Sequence, residues 1–71
     1  MTIVVRAHIT GTIIRVEANE GDSVIEGQTV VIIESMKMEM PVESPVAGRV
    51  RAVRVKVGQP VDEGTVVAEL A

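Results

Sequence analysis

The stretch Gly21-Asp22-Ser23-Val24-Ile25-Glu26-Gly27-Gln28-Thr29-Val30 returns 37 positions later as Gly58-Gln59-Pro60-Val61-Asp62-Glu63-Gly64-Thr65-Val66-Val67. Both copies hold two glycines six apart, with valine, glutamate and a second valine at matching places. Moving outward, the same offset lays Gly11 on Gly48 and Val16 on Val53. It also lays Ile3 on Met40, Val5 on Val42, Ile13 on Val50, and Ile33 on Leu70. Residues 1–34 and 38–71 are therefore two copies of one unit, separated only by Ser35-Met36-Lys37. A repeat of this kind sets the architecture before any single residue is read.

Within each copy the pattern is that of strands joined by glycine turns. Val5, Ala7 and Ile9 alternate with Arg6 and His8, and Val53, Val55 and Val57 alternate with Arg54 and Lys56. This period of two marks half-buried strands. Val50 and Val53 break the alternation, which predicts a bulge or bend where strands curl around a small core. Asn19-Glu20-Gly21-Asp22 and Val57-Gly58-Gln59-Pro60 read as turns, since glycine reaches positive φ without steric cost. Glu26-Gly27 and Glu63-Gly64 mark a second turn in each copy. Helical spacing is lacking, and Pro41, Pro45 and Pro60 oppose helix near them.

Each copy thus supplies about four strands, two of them short. One copy alone has nowhere to bury its apolar face, so the two should pack on each other. The expected fold is all-β: a flattened antiparallel barrel or sandwich, a barrel-sandwich hybrid, of two four-stranded halves related by an approximate two-fold axis. Lys37 has no counterpart within the chain, because its symmetry mate would be residue 0 or 74. The termini should therefore share one pole, with Lys37 at the other.

Length and composition restrict the chemistry. Seventy-one residues make a single domain. So short a chain buries only about 60 % of its unfolded surface. With no cysteine and one histidine, neither disulfides nor a structural metal reinforce it, so aliphatic packing must suffice. Apolar residues form 46 % of the chain and aromatics none. A net charge of −3 and the lack of aromatic stacking platforms argue against nucleic-acid binding. No apolar run approaches the ~20 residues of a membrane helix. The opening Met1-Thr2-Ile3-Val4-Val5-Arg6 lacks the form of a secretion signal, and a cytoplasmic location is expected.

Chemistry concentrates at the junction of the copies. Val30 to Ile33 form an apolar strand ending at Glu34; Met38, Met40 and Val42 share one face of the next strand, opposite Glu39 and Glu43. Ser35-Met36-Lys37 joins them. Only Lys37 and Lys56 carry amines, and Lys56 falls on the polar side of an expected strand. Methionine is flexible and polarizable and suits surfaces read by several partners. A solvated turn lysine beside core-filling methionines explains the same pattern, and on physical features alone both readings stand. A two-residue hairpin centred on Met36-Lys37 would need positive φ at non-glycine residues. His8 has no nucleophile or ligand set beside it in the pattern, and Glu34, Glu39 and Glu43 fit a solvated strand face better than a catalytic carboxylate pair. The glycines are not followed by the helix a phosphate-binding loop requires.

Glu34-Ser35-Met36-Lys37-Met38-Glu39 resembles the attachment signature of biotinyl (biotin/lipoyl attachment) domains, usually Ala-Met-Lys-Met. The resemblance spans essentially the whole chain. It includes Gly11-Thr12-Ile13, Glu20-Gly21-Asp22-Ser23-Val24, Gly27-Gln28-Thr29-Val30 and Pro45-Val46-Ala47-Gly48-Arg49-Val50. Ser35 replaces the usual Ala, and His8-Ile9-Thr10 replaces a segment that commonly contains proline. The protruding "thumb" of some bacterial carrier subunits is missing. In length and start the chain is similar to stand-alone biotin carboxyl carriers.

The resemblance implies covalent biotin on Lys37 as cofactor. A biotin protein ligase would make biotinyl-adenylate, and the Lys37 amine would attack it, with Glu34, Ser35, Met36 and Met38 helping the ligase seat the hairpin around residues 35–38. Carboxylate would then pass from a biotin carboxylase to a carboxyltransferase of acyl-CoA carboxylase type. The carrier itself would be non-catalytic, with no catalytic residues and no metal, and would act by tethering. Two rivals share the expected fold. Lipoyl carriers usually place an acidic residue before the lysine and lack the Met-Lys-Met arrangement. Unmodified barrel-sandwich modules, such as those of transport adaptor proteins, have no reason to set a lysine between methionines there.

Overall fold

The computed structural model describes residues 2–71; Met1, the first residue of the first repeat copy, lies outside the described residues. Eight strands follow in order: β1 (Ile3–Arg6), β2 (Gly11–Val16), β3 (Ser23–Val24), β4 (Thr29–Ser35), β5 (Met38–Glu43), β6 (Gly48–Val53), β7 (Pro60–Val61) and β8 (Val66–Leu70). They form two antiparallel four-stranded sheets, ordered β1-β8-β6-β3 and β5-β4-β2-β7. The sheets face each other as a sandwich and do not close into a barrel.

The repeat governs the hydrogen bonding throughout. Ile3 pairs with Leu70 as Met40 pairs with Ile33, and Val16 pairs with Val31 as Val53 pairs with Ala68. The bulge expected near Val50 falls between Val50 and Ala52, and its mate lies between Ile13 and Arg15. Gly21 and Gly58 both take φ +92°, where a side chain would be strained. The loop bonds repeat too: Gly27 N–H donates to Ser44 O, and Gly64 N–H to Ala7 O.

The halves interleave, which is more than the packing of copy on copy that the sequence suggests. Each sheet takes its two middle strands from one half and both edges from the other. The two-fold operation therefore exchanges the sheets. Buried side chains come in symmetry-matched pairs: Val5 with Val42, Ile13 with Val50, Val24 with Val61, Val30 with Val67, and Ile33 with Leu70. Ser44, the mate of Ala7, is buried but satisfied, since its hydroxyl donates to Val46 O at 2.6 Å.

Three expectations need correction. β1 ends at Arg6, so the alternation through Ala7 and Ile9 runs beyond the strand. Val57 is exposed, and β6 ends at Val53, so the alternation through Val57 is not a strand. Lys56 accordingly sits in a turn, where its N–H donates to the Gln59 side chain.

Candidate functional site

The β4–β5 hairpin closes between Ser35 and Met38, which pair across the strands and leave Met36 and Lys37 as the two central turn residues. Both have positive φ, 52° and 67°, and they are the only non-glycine residues that do among those described. This is the requirement of a primed two-residue hairpin, ordinarily met by Asn-Gly or Gly-Gly. The left-handed region costs a non-glycine residue roughly 1–2 kcal/mol. Extensive pairing from Thr29–Glu43 to Ser35–Met38 holds the turn in this conformation.

Folding alone would favour glycine here. Glycine's extra freedom in the unfolded chain offsets part of the relief. Met36→Gly should therefore raise stability by about 0.5–1 kcal/mol, measurable by thermal or urea denaturation. A loss of stability would show that Met36 packs in a way its 93 % exposure does not suggest.

The structure places every sequence-selected residue at this tip. Lys37 and Glu34 are exposed and Ser35 is half-buried. Met36 and Met38 are exposed at 93 % and 63 %, so neither is core filler; Met40 is half-buried and Val42 buried, so the core begins further down the strand. Glu34 lies directly across from Glu39. Like charges in that position repel, so the pair weakens the hairpin slightly.

Gly11 is a contributor that sequence reading treated only as punctuation and as a family match. A Cβ at Gly11 would collide with the Glu34 carbonyl oxygen and with Ile33 Cγ2. The absent side chain lets β2 press against the base of the hairpin. Its mate Gly48 has looser surroundings, the nearest atom being Ala71 O at 3.2 Å. That asymmetry depends on the β2–β4 approach and has no local signal.

The hairpin occupies one pole. From Thr12, which pairs with Glu34, β2 leads through the 17–22 loop to Val50, where Asp22 O accepts from Val50 N–H. Val50 pairs with Leu70, and Leu70 with Ile3, so the described ends of the chain lie at the opposite pole of a body 33 Å long and 17 Å wide. The described residues enclose no pocket, and no group of three or more His, Cys, Asp or Glu among them is placed to hold a metal ion. His8 is exposed. A convex amine with open approach is suited to being acted upon by another protein's site.

Comparison with known proteins points the same way. The family model described as "Biotin-requiring enzyme" matches residues 2–70. The chain is 42 % identical to the biotinylated protein TB7.3 homolog of Mycobacterium leprae, across 94 % of each chain. It is 40 % identical to a biotin/lipoyl attachment protein of Bacillus subtilis, across 94 % of this chain and 92 % of that one. All of it superposes on part of the urea carboxylase of Kluyveromyces lactis, with a TM-score of 0.94 and 34 % identity, covering 6 % of that longer chain. With the family model spanning nearly its whole length and these identities over nearly all of two small relatives, the chain belongs to the biotin/lipoyl attachment family, that of the biotin-requiring enzymes.

Proposed function

We propose that this domain is a biotin carboxyl carrier, with biotin joined through an amide to Nζ of Lys37. The observation that carries the reading is the strained turn that sets Lys37 between two exposed methionines at the pole of the molecule. The site fits the group: the amine is unobstructed, and no neighbouring wall would meet a long acyl arm. Relatives named as biotin carboxyl carrier proteins, from Streptococcus mutans and tomato, support the choice of biotin over lipoate.

In the attachment step Lys37 Nζ, as the neutral amine, attacks the activated carboxyl carbon of biotin. A C–N bond forms, the activating group leaves with its electron pair, and the amine proton passes to solvent or base. Bound biotin supplies a ring that accepts and releases carboxylate. Glu34, Ser35, Met36 and Met38 form the surface a ligase reads, with the methionines giving adaptable apolar contact. The domain needs no catalytic residue of its own; it raises the effective concentration of the carried group at partner sites. Its partners on this reading are a biotin protein ligase, a biotin carboxylase and a carboxyltransferase.

Intact mass of the chain from cells containing a ligase tests this. Biotin, lipoate and no modification give three different masses, and the biotin mass is expected. Because the amide removes the lysine cation, the modified form should also migrate faster toward the anode on a native gel. A lipoate mass would move the domain to the other branch of its family, and an unmodified chain would leave it a structural module.

A further inference from the structure

The two sheets share one backbone design, yet their outer faces carry opposite charge. On the β1-β8-β6 side, Arg49 and Arg51 flank the buried Val50 and so point away from the core, joined by the exposed Arg6 and Arg54. Glu69 is the carboxylate among these four guanidiniums, with Glu20 near Arg54 at the rim. The hydrogen bond from Arg54 Nε, 2.7 Å long, holds the Glu69 carboxyl below the usual range. Arg51 reaches across β8 to Thr2 Oγ1, and Arg6 donates to Gly64 O. On the other sheet Glu17, Glu34, Glu39 and Glu43 are exposed, with Arg15 beside Glu17.

Folding does not require these arginines. Under the 37-residue operation Arg6 corresponds to Glu43, Arg54 to Glu17, Arg49 to Thr12 and Arg51 to Ile14. The same strands form with none of those cations at the mates.

We propose that the Arg6–Arg49–Arg51–Arg54 face is a docking surface for a carboxylate-rich surface on the enzyme that loads the carrier with carboxylate. This rests on the carrier reading above. Repeated loading calls for a reversible contact, and charge complementarity raises encounter rates without locking the partners together. Guanidiniums on a rigid sheet match carboxylates bidentately. Nucleic acid and anionic lipid are disfavoured by the acidic opposite sheet and the acidic pair beside the hairpin. The surface extends toward the terminal pole, so docking there leaves Lys37 free to reach a site.

The test uses the full biotinylated chain in ATP-dependent carboxylation by a biotin carboxylase. The doubly reversed variant Arg49→Glu/Arg51→Glu should raise KM for the carrier about tenfold at low salt with kcat nearly unchanged. Its ligase-driven biotinylation should stay normal by mass. Added salt should raise the wild-type KM and leave the variant's flat. Arg49→Gln/Arg51→Gln, checked for native circular dichroism, should give a smaller shift in the same direction and guards against misfolding of the reversed form. Glu17→Gln/Glu43→Gln on the other sheet should leave KM unchanged. An unaltered KM in both arginine variants overturns the docking surface while leaving the carrier reading intact. So does a KM change confined to the carboxyltransferase step, or a loss only of binding to DNA or anionic vesicles. A wild-type chain that the ligase does not biotinylate overturns both.

Discussion

Lys37→Arg is expected to emerge from co-expression with a biotin ligase at its unmodified mass and fail to bind streptavidin, while Lys56→Arg is biotinylated to completion. The contrast is all-or-none because the chain has two lysines and they differ in setting. Lys37 stands at a hairpin tip between exposed methionines. Lys56 lies in a turn held by its own N–H bond to Gln59 and lacks methionine neighbours. Arginine keeps the positive charge and much of the length, so the fold and the acidic surroundings are undisturbed. Its guanidinium stays protonated and is a poor acyl acceptor. Streptavidin binding by Lys37→Arg would refute the assignment of the site. Met36→Ala should leave stability nearly unchanged, since the side chain is 93 % exposed, and should slow biotinylation.

The second large effect is on stability. Ile33 and Leu70 occupy mate positions at 0 % and 1 % exposure. Ile33→Ala and Leu70→Ala should each cost about 2–5 kcal/mol, from lost transfer free energy and the cavity left behind. A domain of this size has a total stability of only about 4–10 kcal/mol, so either change leaves a substantial unfolded fraction. Val30→Ala and Val67→Ala give a stricter comparison, because the same residue is removed from mates that are both fully buried. Their urea midpoints should fall together. Clearly unequal losses would mean that the two halves, though matched in register, are not matched in packing.

Much of this was legible in the chain because the repeat supplies its own alignment. The 37-residue offset brings glycine turns, bulges and core valines into correspondence, and those are local features that a sequence records directly. The turn at Met36-Lys37 was legible as a demand for positive φ, since two-residue hairpins favour the primed turns. The interleaving of the halves was not legible. Periodicity tells which face of a strand a residue lies on and is silent on which strand lies beside it. For the same reason Val57 read as the inward side of a strand, although β6 ends at Val53 and Val57 is exposed in the turn that follows. The opposed charges of the sheets were hidden likewise, because Arg6 joins the face of Arg49, Arg51 and Arg54 only once β8 lies between β1 and β6.

The pairing of Ile3 with Leu70 repeats that of Met40 with Ile33, so the described ends of the chain stand where a second hairpin would be. Closing them with three residues after Ala71 would complete the symmetry and permit circular permutation, with new ends opened in an exposed loop such as 56–59. If those three residues were Ser-Met-Lys, leading into Met1, the linker would copy Ser35-Met36-Lys37-Met38. The product would be a two-headed carrier with one acceptor amine at each pole.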